Sequence, residues 1–195
     1  MNDDDKEGTR GRILLAALEL FARKGYEAAG VQEIADAAGI AKPALYYYFG
    51  NKQGILEALV AEFGDDLAGK MQAAAIYQHD IMMNLRALLD AVLEFSRKQP
   101  PFFRLMVSLF SAAPETSGWE AAASLRKNLV ALITALFAAA ARDHGNMKGR
   151  QHLYGETFFA LLQSCGILAL NGELSLTDKT IRYRIIHQFM HGIFS

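Results

Sequence analysis

The stretch 31–52, VQEIADAAGIAKPALYYYFGNK, most constrains the fold of this chain, because it joins two helical patterns through a tight turn. Val31–Ala38 places apolar residues on one helical face, and Gly39 follows where a left-handed residue often ends a helix. Lys42–Phe49 resumes a helix, since Pro43 is tolerated in a first turn. The stretch therefore predicts two short helices joined by a turn, a geometry that suits entry into a DNA major groove.

Periodicity alone leaves an ordinary helical hairpin as an equal alternative. The residues favour the DNA-binding interpretation, because positions 34–52 spell IA-x-x-AG-I-x-x-x-x-L-Y-x-x-F-x-x-K, from Ile34 through Tyr46 to Lys52. This pattern resembles the N-terminal domain of the TetR family of bacterial transcriptional repressors. The resemblance implies an all-α fold with an N-terminal three-helix DNA-binding domain, which contains the helix-turn-helix, and a C-terminal helical ligand-binding and dimerisation domain.

The chain departs from the family pattern at the helix starts and in the reading helix. Ala29 and Gly30 stand where the family usually has a capping threonine or serine, and Ala41 stands where it usually has serine. Because losing a capping side chain costs about 1 kcal/mol, the fold survives, but some phosphate contacts must come from elsewhere. Tyr47 and Tyr48 replace the arginine and histidine that the family often has.

The predicted reading helix offers one cation, Lys42, and no Arg, Asn, Gln or Asp over positions 41–49. Lysine can reach guanine O6 and N7, while tyrosines can contact phosphates and thymine methyl groups. We therefore expect Lys42, Tyr47 and Tyr48 to face DNA, Tyr46 to be partly structural, and the backbone at the start of the Lys52 helix to bind a phosphate. Core packing is the alternative for the tyrosines. The predicted DNA-binding residues are Gln32, Lys42, Pro43, Ala44, Tyr46, Tyr47, Tyr48 and Lys52.

The domain organisation follows from local signals along the chain. The acidic residues 1–8 predict a disordered N-terminal tail, and Thr9 is the expected cap of the first helix. Residues 9–52 form the predicted helix-turn-helix domain, with a linker helix that starts near residue 52. Residues 53–195 form the predicted helical ligand-binding and dimerisation domain.

Prolines and helix-capping residues divide this larger domain into amphipathic helices. Pro100 and Pro101 are expected to end one helix and begin the next. Ser117 with Glu120 has the sequence of a capping box for a long helix. Thr177 is the expected cap of the last helix.

The resemblance implies that the middle helices enclose a pocket for a small-molecule effector. Their aromatic and methionine side chains suit a hydrophobic or amphipathic ligand, with a few polar groups to orient it. Ordinary core packing is the alternative for each of these residues. The predicted ligand-binding residues are Phe102, Phe103, Met106, Phe110, Trp119, Tyr154, Phe158, Phe159 and Gln163.

The resemblance also implies a homodimer in which the last two helices of each chain form a four-helix bundle. Residues 153–170 are apolar almost all round, which is typical of a helix covered on both sides, and Gly155 would allow a close approach. A two-fold dimer places two reading helices about 34 Å apart in successive major grooves. The operator is therefore expected to be a near-palindrome.

No enzymatic or metal-binding pattern is complete in the sequence. His187 and His191 are four residues apart and could share a metal, but no third ligand is evident, so a surface or interface role is favoured. Cys165 lies in an apolar run and is expected to be inert. We therefore expect no enzyme activity, no metal and no cofactor. With no signal peptide and no apolar run of about 20 residues, a cytoplasmic protein without a membrane partner is expected.

The predicted function is ligand-controlled repression. The dimer binds double-stranded operator DNA, and an effector favours a state that binds it less tightly. The alternatives are an activator, a non-inducible regulator, or a helical small-molecule-binding protein or enzyme that has lost DNA binding. The formal net charge of −1 does not discriminate between them.

Overall fold

The computed structural model describes residues 3–173, 175 and 178–192, without the side chains of residues 3–6 and 146. Within these ranges the chain forms nine α-helices, one short 3-10 helix at Gly145–Met147, and no strand, so the predicted all-α fold is confirmed. The helices are α1 Asp3–Lys24, α2 Val31–Ala38, α3 Lys42–Phe49, α4 Lys52–Ala74, α5 Ile81–Lys98, α6 Pro100–Phe110, α7 Ser117–Ala140, α8 Gln151–Leu170 and α9 Lys179–His191.

The turn between α2 and α3 has the geometry that the sequence predicts. Gly39 adopts a φ of 66°, in the left-handed region that glycine enters without steric cost. Its N–H donates to the Asp36 carbonyl at 3.1 Å, and the Ile40 N–H donates to the Ala35 carbonyl at 3.0 Å. These two bonds form a Schellman motif, which satisfies the last carbonyls of α2 and turns the chain into α3.

Two predicted helix starts are wrong. α1 begins at Asp3 instead of Thr9, so residues 3–8 are helical where a disordered tail was predicted. The acidic sequence there suits the positive end of a helix dipole. α7 is capped by Thr116, whose Oγ1 accepts from the Trp119 N–H at 3.3 Å, so the capping box that starts at Ser117 is not formed.

Two other predicted boundaries have different outcomes. α6 begins at Pro100, as predicted. The proposed cap Thr177 lies outside the described residues, and Asp178 caps α9 by accepting from the Thr180 N–H at 2.7 Å. A carboxylate suits that position because the first N–H groups of a helix have no partner within the helix.

The chain packs as two compact units. The first contains Met1–Asp65 and Pro101–Ser124, and the second contains Asp66–Pro100 and Leu125–Ser195. The predicted domain boundary at residue 52 divides the chain by function, with DNA binding before it and ligand binding and dimerisation after it. That boundary stays a prediction. In the first unit, fully buried Ile13 and Ala17 belong to the apolar face of α1, and α1 packs on α2.

The second unit is built around α5, which packs on α8 and α9. Buried Asn84 of α5 donates its amide to the carbonyls of Ala74 and Ile76, both at 2.8 Å, and so satisfies the end of α4. Buried Gly155 of α8 lies against Thr134 of α7, since a Cβ at Gly155 would stand 3.3 Å from the Thr134 Cα. Gly155, which was expected to serve the dimer, therefore has a packing role within the chain.

Two helices are longer as apolar segments than the uninterrupted apolar runs of the sequence suggested. By length and composition alone, α7 with 24 residues and α8 with 20 residues could cross a membrane. The windows that meet this criterion are 39% and 33% buried in the structure. Core helices of soluble proteins meet the same criterion, so it is weak evidence for a membrane span.

The close approach of α7 and α8 predicts that Gly155→Ala destabilises the protein. The new Cβ would overlap Thr134 Oγ1, and overpacking of this kind lowers the free energy of unfolding by about 1–3 kcal/mol. Urea denaturation measures the change. Gly69→Ala in α4 is the matched control, because no atom lies within 4 Å of the added Cβ and a gain of about 0.4–1 kcal/mol is expected. Equal stability of the two variants would contradict the packing.

Candidate nucleic-acid interface

The helix α3 is anchored by a fully buried leucine and is otherwise largely exposed. Leu45 has no exposed surface, and neither has Ala35 of α2, whose small side chain permits a close helix crossing. These positions carry the packing roles predicted from sequence, together with Gly39 in the turn. α3 is therefore a platform whose outer side is available to a partner.

The tyrosines of α3 are not core residues. Tyr47 is 71% exposed and Tyr46 is 43% exposed, so core packing does not account for either. Tyr48 is half-buried, with its ring edge-on to Tyr47 at 5.3 Å and tilted against Phe49 at 6.4 Å. The ring of Tyr48 therefore supports Tyr47, and the predicted DNA contacts of these tyrosines stay predictions.

The other predicted contact residues lie on the same two helices. Lys42 and Pro43 are exposed and Ala44 is half-buried. The Lys42 ammonium stands 5.9 Å from the ring centroid of Tyr46, a cation–π distance. Gln32 is exposed on α2 and donates its Nε2 amide to Asp36 Oδ1 at 2.8 Å. Lys42 thus remains the exposed cation of α3, as predicted.

The start of α2 is capped by a side chain that the sequence interpretation missed. Glu33 Oε2 accepts from the Gly30 N–H at 3.1 Å, and its Oε1 accepts from Lys24 Nζ at 2.5 Å. The hydrogen bond from Lys24, followed by the one from Gly30, lowers the pKa of the Glu33 carboxyl. Glu33 therefore supplies the carboxylate half of a capping box, whereas the N–H groups that a hydroxyl at residue 30 would bind receive no side-chain cap. The spacing of Gly30 and Glu33 would have allowed us to find this bond.

The side chain of Lys52 is bound inside the protein rather than free for DNA. Its Nζ donates to the carbonyls of Tyr26 at 3.0 Å, Glu27 at 3.2 Å and Ala29 at 3.4 Å. The same ammonium stands 4.4 Å from the ring centroid of Tyr26. Lys52 therefore ties the start of α4 to the loop before α2. A DNA contact by its side chain, which these bonds disfavour, stays a prediction.

The backbone at the start of α4 was predicted to bind a phosphate. The Gly54 N–H already donates to Asn51 Oδ1 at 2.8 Å, so Asn51 caps this helix. The neighbouring N–H groups of the first turn still point along the helix axis towards its N-terminus. A phosphate contact there stays a prediction that excludes the Gly54 amide.

The predicted ligand-binding residues are divided between the two compact units. In the first unit, Phe102, Phe103 and Met106 are buried, and the Phe102 ring packs on Phe63 at 5.3 Å. Phe110 and Trp119 are half-buried there. Their contact with a ligand stays a prediction.

In the second unit, the predicted residues belong to an aromatic cluster around Phe137. The Phe137 ring lies 5.4 Å from Tyr154 and 6.5 Å from Phe158. Phe189 of α9, which the prediction omitted, packs on Phe158 at 4.9 Å. Phe159 is also buried, and Gln163 is half-buried. The cluster joins α7, α8 and α9 through aromatic contacts.

A surface cleft of about 660 Å³ lies elsewhere in the second unit. It is crossed by an ion pair between Arg182 and Asp90 at 2.5 Å. Its other lining residues come from α5, the end of α8 and the segment that follows, and none is a predicted ligand-binding residue. The full lining is Asp90, Leu93, Glu94, Ser96, Arg97, Ala169, Leu170, Gly172, Ser175 and Arg182.

The residues considered for metal or covalent chemistry have packing roles. The rings of His187 and His191 lie 4.5 Å apart with a tilt of 41°, and His187 also lies 5.7 Å from the Tyr183 ring. Among the described residues, no group of three or more His, Cys, Asp or Glu side chains could hold a metal ion. Burial raises the pKa of the Cys165 thiol, which disfavours a nucleophilic thiolate.

Comparison with known proteins identifies relatives of both the DNA-binding segment and the whole chain. Residues 13–59 match the family model described as bacterial regulatory proteins, tetR family. The chain is 32% identical over 188 residues to the HTH-type transcriptional activator FasR of Mycolicibacterium smegmatis. This match covers 96% of this chain and 83% of FasR. It is 37% identical over 89 residues to the HTH-type transcriptional repressor KstR2 of Rhodococcus jostii, which covers 46% of this chain and 44% of KstR2.

A similar fold occurs in a solved structure with a bound acyl thioester. The crystal structure of the regulator FadR from Bacillus subtilis in complex with stearoyl-CoA matches with a TM-score of 0.74 and 18% identity. The match covers 94% of this chain and 98% of that chain. At this identity the likeness concerns the fold.

The contacts of Lys52 predict that Lys52→Met lowers stability without changing the salt dependence of DNA binding. Carbonyls left without a partner lower the free energy of unfolding by about 1–3 kcal/mol. Lys42→Met, in contrast, removes an exposed cation of α3 and should weaken DNA binding while leaving the free energy of unfolding unchanged. Urea denaturation and fluorescence anisotropy at several salt concentrations measure both. A lowered slope of log affinity against log salt with unchanged stability for Lys52→Met would overturn its internal role.

Proposed function

Because this chain belongs to the TetR family of bacterial regulatory proteins, we propose that it is an effector-controlled transcriptional regulator that binds a near-palindromic operator as a homodimer. The observation that carries the proposal is the exposed outer side of α3, where Lys42 and Tyr47 stand beside the fully buried anchor Leu45. A short helix held in this way can present a few side chains to base edges. We propose a cytoplasmic location, where the chromosome is accessible.

We propose that Lys42 is the main base-edge donor and that Tyr46, Tyr47 and Tyr48 contact phosphates and thymine methyl groups. Lysine reaches guanine O6 and N7, and it is the exposed cation of α3. The 71% exposure of Tyr47 makes its ring and hydroxyl available to a groove. Specificity would then depend on few hydrogen bonds and on apolar contacts.

We propose a long-chain acyl thioester as the effector. The FadR structure of similar fold contains stearoyl-CoA, and another structure of similar fold is a fatty acid degradation regulator from Bacillus halodurans, with a TM-score of 0.76. An acyl chain needs an apolar, partly aromatic environment. Buried Phe102 and Met106 in the first unit, and Phe158 in the second, supply such side chains.

The dimer is proposed to use α8 and α9. Leu153 of α8 is 61% exposed and Tyr183 of α9 is 44% exposed, although both are large and partly or wholly apolar. Such side chains are typical of surfaces that a second chain covers. A two-fold axis would relate the two α3 helices, so that each reads one half-site of the operator.

Repression remains the proposed mode, and KstR2, to which the chain is 37% identical over 89 residues, is a repressor. Activation is the second candidate, because FasR, which matches 96% of this chain, is an activator. The two modes share the same operator contacts and differ in where the operator lies relative to the promoter. A reporter gene that carries the selected operator upstream of or within the promoter distinguishes them.

Lys42→Ala and Tyr47→Phe should both weaken binding to an operator selected from a random library. We expect Lys42→Ala to lower the affinity by about tenfold or more and to relax the preferred base at one position, because a bidentate contact contributes about 1–3 kcal/mol. Tyr47→Phe removes one phosphate contact and should lower the affinity severalfold. Gel-shift titration measures both.

The matched control for these substitutions is Lys70→Ala on α4. Lys70 is paired with Asp66 on its own helix and lies outside the reading helix. Its substitution should leave operator affinity unchanged. If Lys42→Ala and Tyr47→Phe behave like Lys70→Ala, the assignment of α3 as the reading helix is wrong. Selected sites without near-palindromic symmetry would contradict the proposed dimer.

Stearoyl-CoA should change operator affinity by about 5–150-fold, the usual range of coupling between two sites. The proposed repressor loses affinity, since the ligand stabilises a conformation that binds DNA less tightly. Fluorescence anisotropy with labelled operator measures the effect, with free CoA and stearate as separate controls. An unchanged affinity together with an unchanged melting temperature would exclude this acyl thioester as the effector.

A further inference from the structure

Two histidines in the last two turns of α9 are metal-binding residue types that the proposed function does not use. His187 and His191 are four residues apart, so both imidazoles project from the same face of the helix. Their ring centroids lie 4.5 Å apart with a tilt of 41°. His191 is exposed and His187 is half-buried. A small ion can therefore reach the pair from solvent.

The separation of the two rings suits a shared metal ion. Two imidazoles that bind one Zn²⁺ at Zn–N distances of about 2.0–2.1 Å, with N–Zn–N angles of about 90–110°, have ring centroids roughly 4.5–5.2 Å apart. The separation of 4.5 Å between His187 and His191 lies at the lower end of this range. Imidazole nitrogen is also a ligand type that suits zinc. The pair thus has the spacing and the chemistry of one half of a tetrahedral site.

The imidazole nitrogens of this pair are not engaged by other described residues. His79 provides the contrast, because its Nδ1 lies 2.6 Å from Asp143 Oδ2. Within the described part of the chain, His187 and His191 have ring contacts with each other, and His187 has one with Tyr183. A metal ion therefore displaces no hydrogen bond between these imidazoles and a described residue.

The end of α9 adds electrostatic attraction for a cation. The helix ends at His191, so the carbonyl groups of its last turn carry the partial negative charge of the helix dipole. This attraction acts within about the last turn of a helix, which is where His191 stands. A divalent ion bound by His187 and His191 gains from it.

A second copy of the chain is the source of the missing ligands. Among the described residues, no group of three or more His, Cys, Asp or Glu side chains contains the pair, and a four-coordinate zinc site needs two more ligands. Tyr183, His187 and His191 recur at intervals of four along α9, and the exposed Tyr183 belongs to the proposed dimer surface. A two-fold interface uses the same surface patch of both chains, so a histidine pair at the axis faces its own copy.

We propose that His187 and His191 bind a Zn²⁺ ion together with the same two histidines of a second copy, so that the ion joins the two α9 helices of the dimer. Each neutral imidazole donates a nitrogen lone pair, and the four nitrogens replace water molecules of the hydrated ion. This inference rests on the dimer of the proposed function and goes beyond it by assigning an ion to the interface. Because the complete site exists only in the dimer, the ion stabilises the dimer.

Cobalt titration of the untagged full-length protein tests the proposal, with Co²⁺ as a coloured substitute for Zn²⁺. We expect the intense visible absorption of tetrahedral Co²⁺, which saturates at about one ion per two chains, as a site shared across a two-fold axis requires. Addition of Zn²⁺ should abolish this absorption by displacing Co²⁺. Sedimentation velocity should show the ion-bound species as a dimer.

His187→Gln and His191→Gln each remove one of the two ligands that a chain contributes, and each should abolish the tetrahedral absorption. His144→Gln is the matched control, because His144 is exposed and lies outside α8 and α9. It should keep both the absorption and the stoichiometry. Circular dichroism in EDTA checks that each variant folds, and one folded variant of the pair is sufficient, since either substitution removes a ligand.

The outcomes separate this proposal from the function on which it rests. Saturation at about one Co²⁺ per chain, or absorption retained by a folded variant of the pair, overturns the shared site. A dimer that binds the selected operator in EDTA but takes up no Co²⁺ leaves the proposed function intact and overturns this inference alone. A protein that sediments as a monomer both in EDTA and with Co²⁺ overturns the proposed dimer and the shared site together.

Discussion

The ammonium group of Lys52 is the contact on which the DNA-binding unit depends. The loop between α1 and α2 contains carbonyls that have no partner within a helix. The single ammonium of Lys52 donates hydrogen bonds to the carbonyls of Tyr26, Glu27 and Ala29. Because Lys52 is the first residue of α4, it fixes the start of that helix relative to the start of α2. The reading helix α3 lies between these two fixed points in the chain. Its orientation thus depends on its own buried Leu45 and also on an interaction that involves none of its own residues.

The first compact unit contains more than the reading helices. It also contains most of α6 and the first turns of α7, where five of the predicted ligand-binding residues lie. The ring of Phe102 on α6 packs on Phe63 of α4, and Gly118 on α7 packs on Tyr26. A ligand that moves α6 would therefore act on a helix already packed within the DNA-binding unit. Regulation needs no separate element to connect α6 with that unit.

The parts of the fold that depend on local chemistry could be predicted from the sequence. The bounds of α2 and α3 follow from Gly39 and Pro43, whose effects extend over a few residues. The partners of Lys52 could not be found in this way, because they lie 23–26 residues earlier in the chain. Thr116 and Ser117 offer adjacent hydroxyls of similar capping ability, so the sequence alone does not decide that Thr116 is the one that accepts from the Trp119 N–H. The ligand-binding residues are harder still to predict from the sequence, since buried aromatic side chains have the same sequence pattern in a core and in a pocket.

The Glu33 carboxylate at the start of α2 occupies a backbone N–H group that a DNA phosphate could otherwise bind. Glu33 accepts from the Gly30 N–H, which would be open to a phosphate in a chain without this carboxylate. The Lys24 ammonium neutralises the Glu33 carboxylate. A phosphate that approaches this helix end finds the Gly30 N–H already bonded and an ion pair with no net charge, so the attraction of this helix end towards any DNA is reduced. Base-edge contacts by α3 are not reduced in the same way. The reduction applies to the phosphate backbone of any sequence, so discrimination between sequences depends on the side chains that reach base edges.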